Sequence, residues 1–364
     1  MKTQRLVIIS LICIILFSLS INSIPAKGTP RLMKRGVITA SDAAKTPLDI
    51  GSYSVPIVMD WNQDGANDFV VGEGAGAIYL FINDGTNANT SFNAEGEFLT
   101  YSNGTGIIIE GFASPTIADW NNDGLIDLII GSQQGKVSLF LNEGNPSQPL
   151  FSTRTYLKVG MNEILDVGTW AAPHVVDWNG DGKLDLIVGT YQGQVLFFEN
   201  NGTVSDYSLT NPITLKEGDS ILDVGFHLHP FCVDWDEDGL IDLVAGDSRG
   251  DLRWYKRRIN NDTVLMSSQF IKDVSDEAVG VSERSSPFLF DWNGDSLLDL
   301  FSGDALGQIS MFENLPVGSS VSISSSTTII PPLLTPGYLF ISSVLSAASL
   351  ILWRKRIKLT ATDE

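Results

Sequence analysis

The sequence predicts an all-β chain: a five-bladed β-propeller of four-stranded antiparallel blades, closed by an N-terminal strand and followed by one C-terminal transmembrane helix. Three observations predict it. One acidic segment recurs five times at near-constant spacing, short β-branched and aromatic runs bounded by glycine and proline separate its copies, and the chain ends in an uncharged apolar stretch followed by basic residues.

At the start, Lys2 and Arg5 precede an apolar run from Leu6 to Leu19, with small residues at Ser20, Ser23 and Ala26. Residues 1–26 therefore read as a secretory signal peptide. A retained anchor is the alternative, but the run is short for a spanning helix of about 20 residues. Of the two cysteines, Cys13 lies in this leader and Cys232 in the body, so the exported chain has no internal disulfide available. A formal charge of -20 disfavours nucleic acid and anionic lipid as partners, and instead suggests solvation or cation binding.

The repeat, which fills residues 27–314, is anchored by Asp60–Asp68, Asp119–Asp127, Asp177–Asp185, Asp234–Asp242 and Asp291–Asp299, whose first aspartates lie 59, 58, 57 and 57 residues apart. Four residues before each stands a proline: Pro56, Pro115, Pro173, Pro230 or Pro287. Twelve and sixteen residues after it stand glycines, from Gly72 and Gly76 in the first copy to Gly303 and Gly307 in the last. Runs such as Leu186 to Val188 and Val195 to Phe198 read as strands of a meander, with a weaker fourth strand within Tyr207 to Leu215. Four-stranded repeats that cannot bury both faces alone are the signature of propeller blades. The fifth copy stops after its third strand at Asn314, and the segment around Arg35 to Ala40 is the expected donor of the missing strand. Closure in this way removes an open sheet edge.

Each acidic loop places oxygen side chains at positions 1, 3, 5 and 9, with glycine at 6, a spacing that wraps a hard cation while position 7 offers its carbonyl. Calcium is the expected ion, with up to five bound and a structural role. The ligands would be Asp60, Asn62, Asp64 and Asp68; Asp119, Asn121, Asp123 and Asp127; Asp177, Asn179, Asp181 and Asp185; Asp234, Asp236, Asp238 and Asp242; and Asp291, Asn293, Asp295 and Asp299. In the fifth loop Ser296 replaces the glycine and must adopt a left-handed conformation, so that site is expected to be the weakest. Position 12 carries no glutamate, which suits structural extracellular sites of roughly 10⁻⁴ to 10⁻³ M affinity. Asp, Asn and Gly also make ordinary turns. Against that reading, five loops with sixteen carboxylates would repel one another without a cation.

These Asp-Trp-Asn-x-Asp-Gly-x-x-Asp loops, each followed by a Leu-Ile-Val-Gly-like strand, resemble the FG-GAP and VCBS repeats of integrin α-subunit propellers and many microbial surface proteins. The resemblance covers about residues 36–314 and implies the propeller fold and calcium. It implies less about function, because the family includes adhesins, lectin-like modules and accessory domains of polysaccharide-degrading enzymes. Integrin propellers have seven blades, a departure that weakens any inference of integrin-like partner recognition.

By resemblance to propellers, the first strand of each repeat lies innermost, so the end opposite the acidic loops is the expected binding face. Seven residues before each first aspartate, that end offers Tyr53, Phe112, Trp170, His227 and Arg284, and the glycine turns add Tyr191 and Arg249 among others. These positions differ in every copy, as they would if an asymmetric extracellular glycan or protein were bound; the alternative is that the aromatic residues plug the channel. The loop tryptophans, Trp61, Trp120, Trp178, Trp235 and Trp292, are expected to pack between blades. Catalysis is the rival class: Glu73, Asp247 and Asp304 could supply a carboxylate pair for a glycosidase or polysaccharide lyase. No nucleophile elbow, zinc-binding histidine pair or phosphate loop occurs, and the reading favours a binding and adhesion module over an enzyme.

After Asn314 the composition turns to Ser, Thr and Val, and residues 315–336 read as a stalk. Gly337 to Trp353 is uncharged, carries Tyr338 and Trp353 at its ends, and precedes a basic tail over 354–364, so the positive-inside rule places the propeller outside and the tail in the cytoplasm. This region also resembles the sorting signals of archaeal surface proteins, in which the tail is exchanged for a lipid. Asn89, Asn103, Asn201 and Asn261 each begin a glycosylation sequon, as expected of a glycoprotein on the extracellular face of a cell membrane.

Overall fold

A computed structural model describes residues 30–258 and 261–319, with only the backbone at Asn261. The chain divides into a unit ending at Ser319 and a second, Ser320–Glu364, that lies outside the described residues. The expected leader, most of the stalk and the 337–353 segment therefore lie outside them too. Among the described residues no helix is long and apolar enough to cross a membrane.

Five four-stranded antiparallel sheets follow the sequence repeat. A first strand, β1 (Leu32–Val37), precedes sheet 1, which is β2 (Val55–Met59), β3 (Asp68–Gly72), β4 (Ile78–Phe81) and β5 (Glu97–Phe98). Sheet 2 is β6 (Ser114–Ala118), β7 (Asp127–Gly131), β8 (Val137–Phe140) and β9 (Thr155–Tyr156), and a small hairpin, β10 (Lys158–Val159) and β11 (Glu163–Ile164), comes next. Sheet 3 is β12 (Ala171–Val176), β13 (Asp185–Thr190), β14 (Val195–Phe198) and β15 (Ile213–Thr214), with β16 (Lys216–Glu217) and β17 (Ser220–Ile221) after it. Sheet 4 is β18 (His229–Val233), β19 (Asp242–Gly246), β20 (Leu252–Tyr255) and, after an inserted hairpin β21 (Arg257–Arg258) and β22 (Asn261–Leu265), β23 (Gln269–Phe270). Sheet 5 is β24 (Ser286–Phe290), β25 (Asp299–Gly303) and β26 (Ile309–Asn314), completed by β1.

Closure by the N-terminus is therefore present, but through Leu32–Val37, a little earlier than the expected Arg35 to Ala40. The hydrogen bonds explain this register. In the first three sheets an asparagine after the third strand (Asn83, Asn142 or Asn200) uses its Oδ1 to accept the amide eight residues on, at 2.8–3.0 Å. In sheet 5 the same oxygen, on Asn314, accepts the amide of Arg31 at 2.9 Å, so the N-terminal segment occupies the place of the absent chain. Arg31 also binds the Pro316 carbonyl, and ordered backbone extends past the expected boundary at 314.

The first strands β2, β6, β12, β18 and β24 contact one another in cyclic order, giving a propeller-like ring. The glycine twelve residues into each repeat sets the spacing. A Cβ on Gly72, Gly131, Gly189 or Gly246 would fall 2.0–2.4 Å from a carbonyl oxygen entering the next sheet, and one on Gly303 would lie 2.0 Å from the Ser54 carbonyl. The last sheet thus meets the first at the same distance as the others meet their neighbours. Each loop tryptophan is buried in a cluster between its own sheet and the next; Trp292, for instance, stacks 5.5 Å from Phe69.

One departure from a purely antiparallel pattern was not expected. Hairpin β21–β22 leaves sheet 4 and pairs in parallel with β16, making a further four-stranded sheet that ties the third repeat to the fourth. The sequence marks the insertion: where the other repeats carry the asparagine just described, the fourth carries Arg257, which binds the Trp178 carbonyl and Asp262.

Candidate functional site

The acidic loops and the predicted mouth residues lie at opposite ends of the first strands, since each strand runs from one to the other. In every loop the carboxylate at position 1 accepts the amides of positions 5 and 6, the latter at 2.9 Å, and the carboxylate at position 5 accepts that of position 7. The loops are thereby wound around their own side-chain oxygens. In the fourth loop one oxygen from each of Asp234, Asp236 and Asp238 lies within 4.8 Å of the others, and Asp236 Oδ1 is buried without a hydrogen-bond partner. Lys256 pairs with the other Asp236 oxygen, and Lys183 binds Asp181 at 2.9 Å in the third loop.

The position-9 aspartates play a part that spacing alone did not reveal. Asp68, Asp127, Asp185, Asp242 and Asp299 have no exposed surface, and one oxygen of each accepts a backbone amide fifteen residues on at 2.7–2.9 Å. The second oxygen takes the loop tryptophan's amide, except in the fourth loop, where it takes the Trp254 indole N–H at 2.9 Å. Burial raises all five above the usual carboxylate range, Asp185 and Asp242 to about 6 and Asp299 to about 7.

Ser296 is left-handed as required, with φ 68°. It does not single out the fifth loop. Position 4 is left-handed as well, and there Gln63, Asn122 and Glu237 have φ of 58–59° in loops 1, 2 and 4, whereas the fifth loop has Gly294. Four loops thus carry one strained non-glycine residue each, and only the third, with Gly180 and Gly182, carries none. Backbone strain therefore does not make the fifth loop uniquely weak, as the serine at its sixth position alone would suggest.

At the opposite end Tyr53, Phe112, Trp170, His227 and Arg284 converge. All five have φ between 45° and 58°, a conformation that costs a non-glycine residue about 1–2 kcal/mol and that clusters at functional positions. Ring centroids lie 5.0 Å apart for Tyr53 and Phe112, 4.6 Å for Phe112 and Trp170, and 4.4 Å for Trp170 and His227, and the Arg284 guanidinium sits 4.1 Å from the Tyr53 centroid. Trp170 is 4% exposed, so its indole closes the channel rather than offering a platform. The chain of aromatic contacts continues outward from His227 to Tyr191 at 4.6 Å and from there to Phe226 at 5.5 Å. Tyr191 is 39% and Phe226 57% exposed. Phe226 was missed by the sequence reading; its adjacency to His227 was the available signal. Arg249 projects nearby, its guanidinium 2.8 Å from Asp247.

The three candidate acids are engaged in holding the glycine turns. Glu73 accepts the amides of Ala75 and Ala77, Asp247 those of Arg249 and Asp251, and Asp304 those of Leu306 and Gln308. All three are buried, which keeps them away from the solvent-facing surface. Asn89, Asn103 and Asn201 are exposed and lie outside the strands.

Fold and loops together define a class, all-β proteins built from repeated four-stranded sheets in a propeller-like ring. Within that class the chain carries FG-GAP-like repeats: the model of that repeat matches residues 60–130 and 119–188, each span running from one acidic loop through the strand after the next. No curated protein matches the sequence. Among solved structures, a lectin from Agrocybe aegerita, described as recognising non-reducing terminal N-acetylglucosamine, is 17% identical, with 78% of this chain and 73% of that one covered and a TM-score of 0.40. Two structures of BBS1N in complex with ARL6DN are 12% and 10% identical, cover 80% and 81% of this chain and 99% and 100% of their own, and give TM-scores of 0.36 and 0.37. At this distance the likeness bears on neither ligand nor partner.

Proposed function

We propose that the chain is a cell-surface binding and adhesion module, a calcium-stabilised five-bladed β-propeller of the FG-GAP/VCBS kind. It recognises an extracellular glycan or protein without turnover. The observation that carries this reading is the aromatic surface that leaves the channel plug and reaches solvent at Tyr191 and Phe226, beside the charged pair Arg249 and Asp247. A rigid aromatic face with polar groups at its edge suits a sugar ring or a peptide.

The loops fit a hard cation through their donor chemistry, carboxylate and amide oxygens only, and through the buried, unpartnered Asp236 Oδ1. Positions 1, 3 and 5 of each loop would hold calcium, and the ion would supply charge neutralisation that stiffens the rim. Position 9 contributes mainly by tying the loop to the sheet. The leader and the 337–353 segment support export and display on the outer face of a membrane, by a spanning helix or by a lipid that replaces it.

The test is a glycan array with residues 27–319, run beside a polysaccharide-degradation assay. Binding that is lost in Tyr191→Ala and Phe226→Ala, with no product released, is the expected result. Product formation that disappears on replacing Glu73, Asp247 or Asp304 would make the protein a carbohydrate-active enzyme instead. Silence in both assays would contradict glycan recognition and direct the search to a protein ligand.

A further inference from the structure

Beneath the aromatic plug lies a cavity of about 10 Å³ whose lining includes Tyr53, Phe112, Trp170, His229 and Arg284. That is room for about one water-sized occupant. Two of these side chains carry donor atoms that are shut off from solvent and have no hydrogen-bond partner: Trp170 Nε1 and Arg284 Nη1. Trp170 and His229 are 4% and 6% exposed. An indole N–H and a guanidinium N–H can only donate, and leaving a buried donor unmade costs about 1–3 kcal/mol, more when it is charged.

The neighbouring acids do not answer this demand. Glu73 is taken up by turn amides, Asp247 by Arg249 and Asp304 by turn amides and the Ser282 hydroxyl at 2.9 Å. Among the described residues no carboxylate forms an ion pair with Arg284. Arg284 is half-buried, and the guanidinium lies against the faces of Tyr53, Phe112 and Trp170, at 4.1, 5.6 and 5.9 Å, with Nη1 shut off from solvent.

We infer that this cavity is a binding site for a small monovalent anion of the halide class, chloride under ordinary conditions, held by the Trp170 indole N–H and the Arg284 guanidinium. The anion supplies an acceptor for donor-only groups and cancels a charge that nothing else in the cavity cancels. Burial, with His227 and then Arg284 nearby, keeps His229 neutral, its pKa pushed down to about 3, so His229 adds no charge to the site. A water molecule is the rival occupant: it can accept from the same donors, but it brings no negative charge to the buried Nη1 end of the guanidinium. The inference is independent of any external ligand, because the cavity lies under the plug rather than on its exposed face.

The test is the melting temperature of the full-length protein in a series from sodium gluconate to sodium chloride at constant ionic strength and constant calcium gluconate. Expected is a rise of about 2 °C once chloride reaches ten times its dissociation constant, growing with the logarithm of chloride concentration above that constant. Trp170→Phe, which keeps a ring but removes the N–H, and Arg284→Gln should each abolish the chloride dependence. Identical melting in gluconate and chloride overturns the inference in favour of water. Should either variant fail to fold, crystals of the wild-type protein grown in bromide decide the matter: an anomalous peak beneath the plug is expected, and peaks confined to the outer surface overturn the site.

Discussion

Gly303→Ala tests ring closure at a single atom. The added Cβ would lie 2.0 Å from the Ser54 carbonyl oxygen, against about 3.4 Å for ordinary contact, so the first strand of sheet 1 would have to move by about 3.4 − 2.0 = 1.4 Å. The obstacle is backbone, with the Ser54 and Ser286 hydroxyls also 2.6 Å away, and it cannot turn aside as a long side chain would. Overpacking of this kind costs about 1–3 kcal/mol and at times more. We expect the upper end, about 3 kcal/mol, and the same cost for Gly131→Ala, whose Cβ would meet the Ala171 carbonyl at 2.0 Å. Gly106→Ala, with nothing within 4 Å, serves as the control and should stay within about 0.5 kcal/mol. Urea denaturation of residues 27–319, followed by tryptophan fluorescence, gives all three values. A Gly303→Ala protein as stable as the control, with Gly131→Ala destabilised, would refute the claim that sheet 5 packs on sheet 1 as the other sheets pack on their neighbours.

Deleting residues 30–42 removes β1 and the Arg31 amide that binds Asn314, leaving β26 as an open edge; the expected product aggregates, and a monomeric deletion mutant of unchanged stability in gel filtration would contradict closure by this strand. Asp181→Ala and Asp295→Ala remove equivalent amide acceptors, so their unfolding free energies in chelator should agree within about 1 kcal/mol, a margin set by the exposed Lys183–Asp181 pair; a larger loss at Asp181 would restore the ranking that favours the glycine-rich third loop. His174 donates its Nε2–H to the Cys232 carbonyl at 3.2 Å, and burial pushes its pKa from 6.5 down to about 4. Its neutral form is the one the fold accepts, so this contribution is complete above pH 6.5 and declines, by up to about 3 kcal/mol, as pH falls toward 4. Stability measured against pH for wild type and His174→Gln should therefore converge over that window, and a pH-independent difference would refute the assignment.

The repeat made most of the architecture readable, because each landmark answers to a separate physical demand. Glycine at position 13 is required by the carbonyl of the next sheet, proline sits on an inner strand whose far side needs no ladder partner, and the loop tryptophan fills the wedge between sheets. The closing strand was legible from a missing element, although its register was not, since that depends on Asn314 reaching Arg31 across the chain. The inserted β21–β22 hairpin escaped notice because its signal is the loss of an asparagine rather than the gain of a motif. At the candidate site, sequence position placed the five mouth residues correctly at one end but could not tell plug from platform. Trp170 is buried by its neighbours, and exposure passes outward to Tyr191 and Phe226. Position 4 of the loops was silent for a similar reason: a left-handed turn there accepts Gln, Asn, Glu or Gly alike, so no residue type marks it.

The central claim is that the five acidic loops are cation staples that hold one rim of the ring while the other rim binds. Its most direct test is the melting temperature of residues 27–319, purified with chelator, as calcium is titrated from zero to about ten times the millimolar dissociation constant expected of such sites. The account predicts a rise that sets in near the dissociation constant and then follows the logarithm of calcium concentration, that magnesium at the same concentration does not reproduce, and that excess chelator reverses. A melting curve that stays unchanged from excess chelator to saturating calcium would contradict it, and would leave the aspartates as turn formers alone.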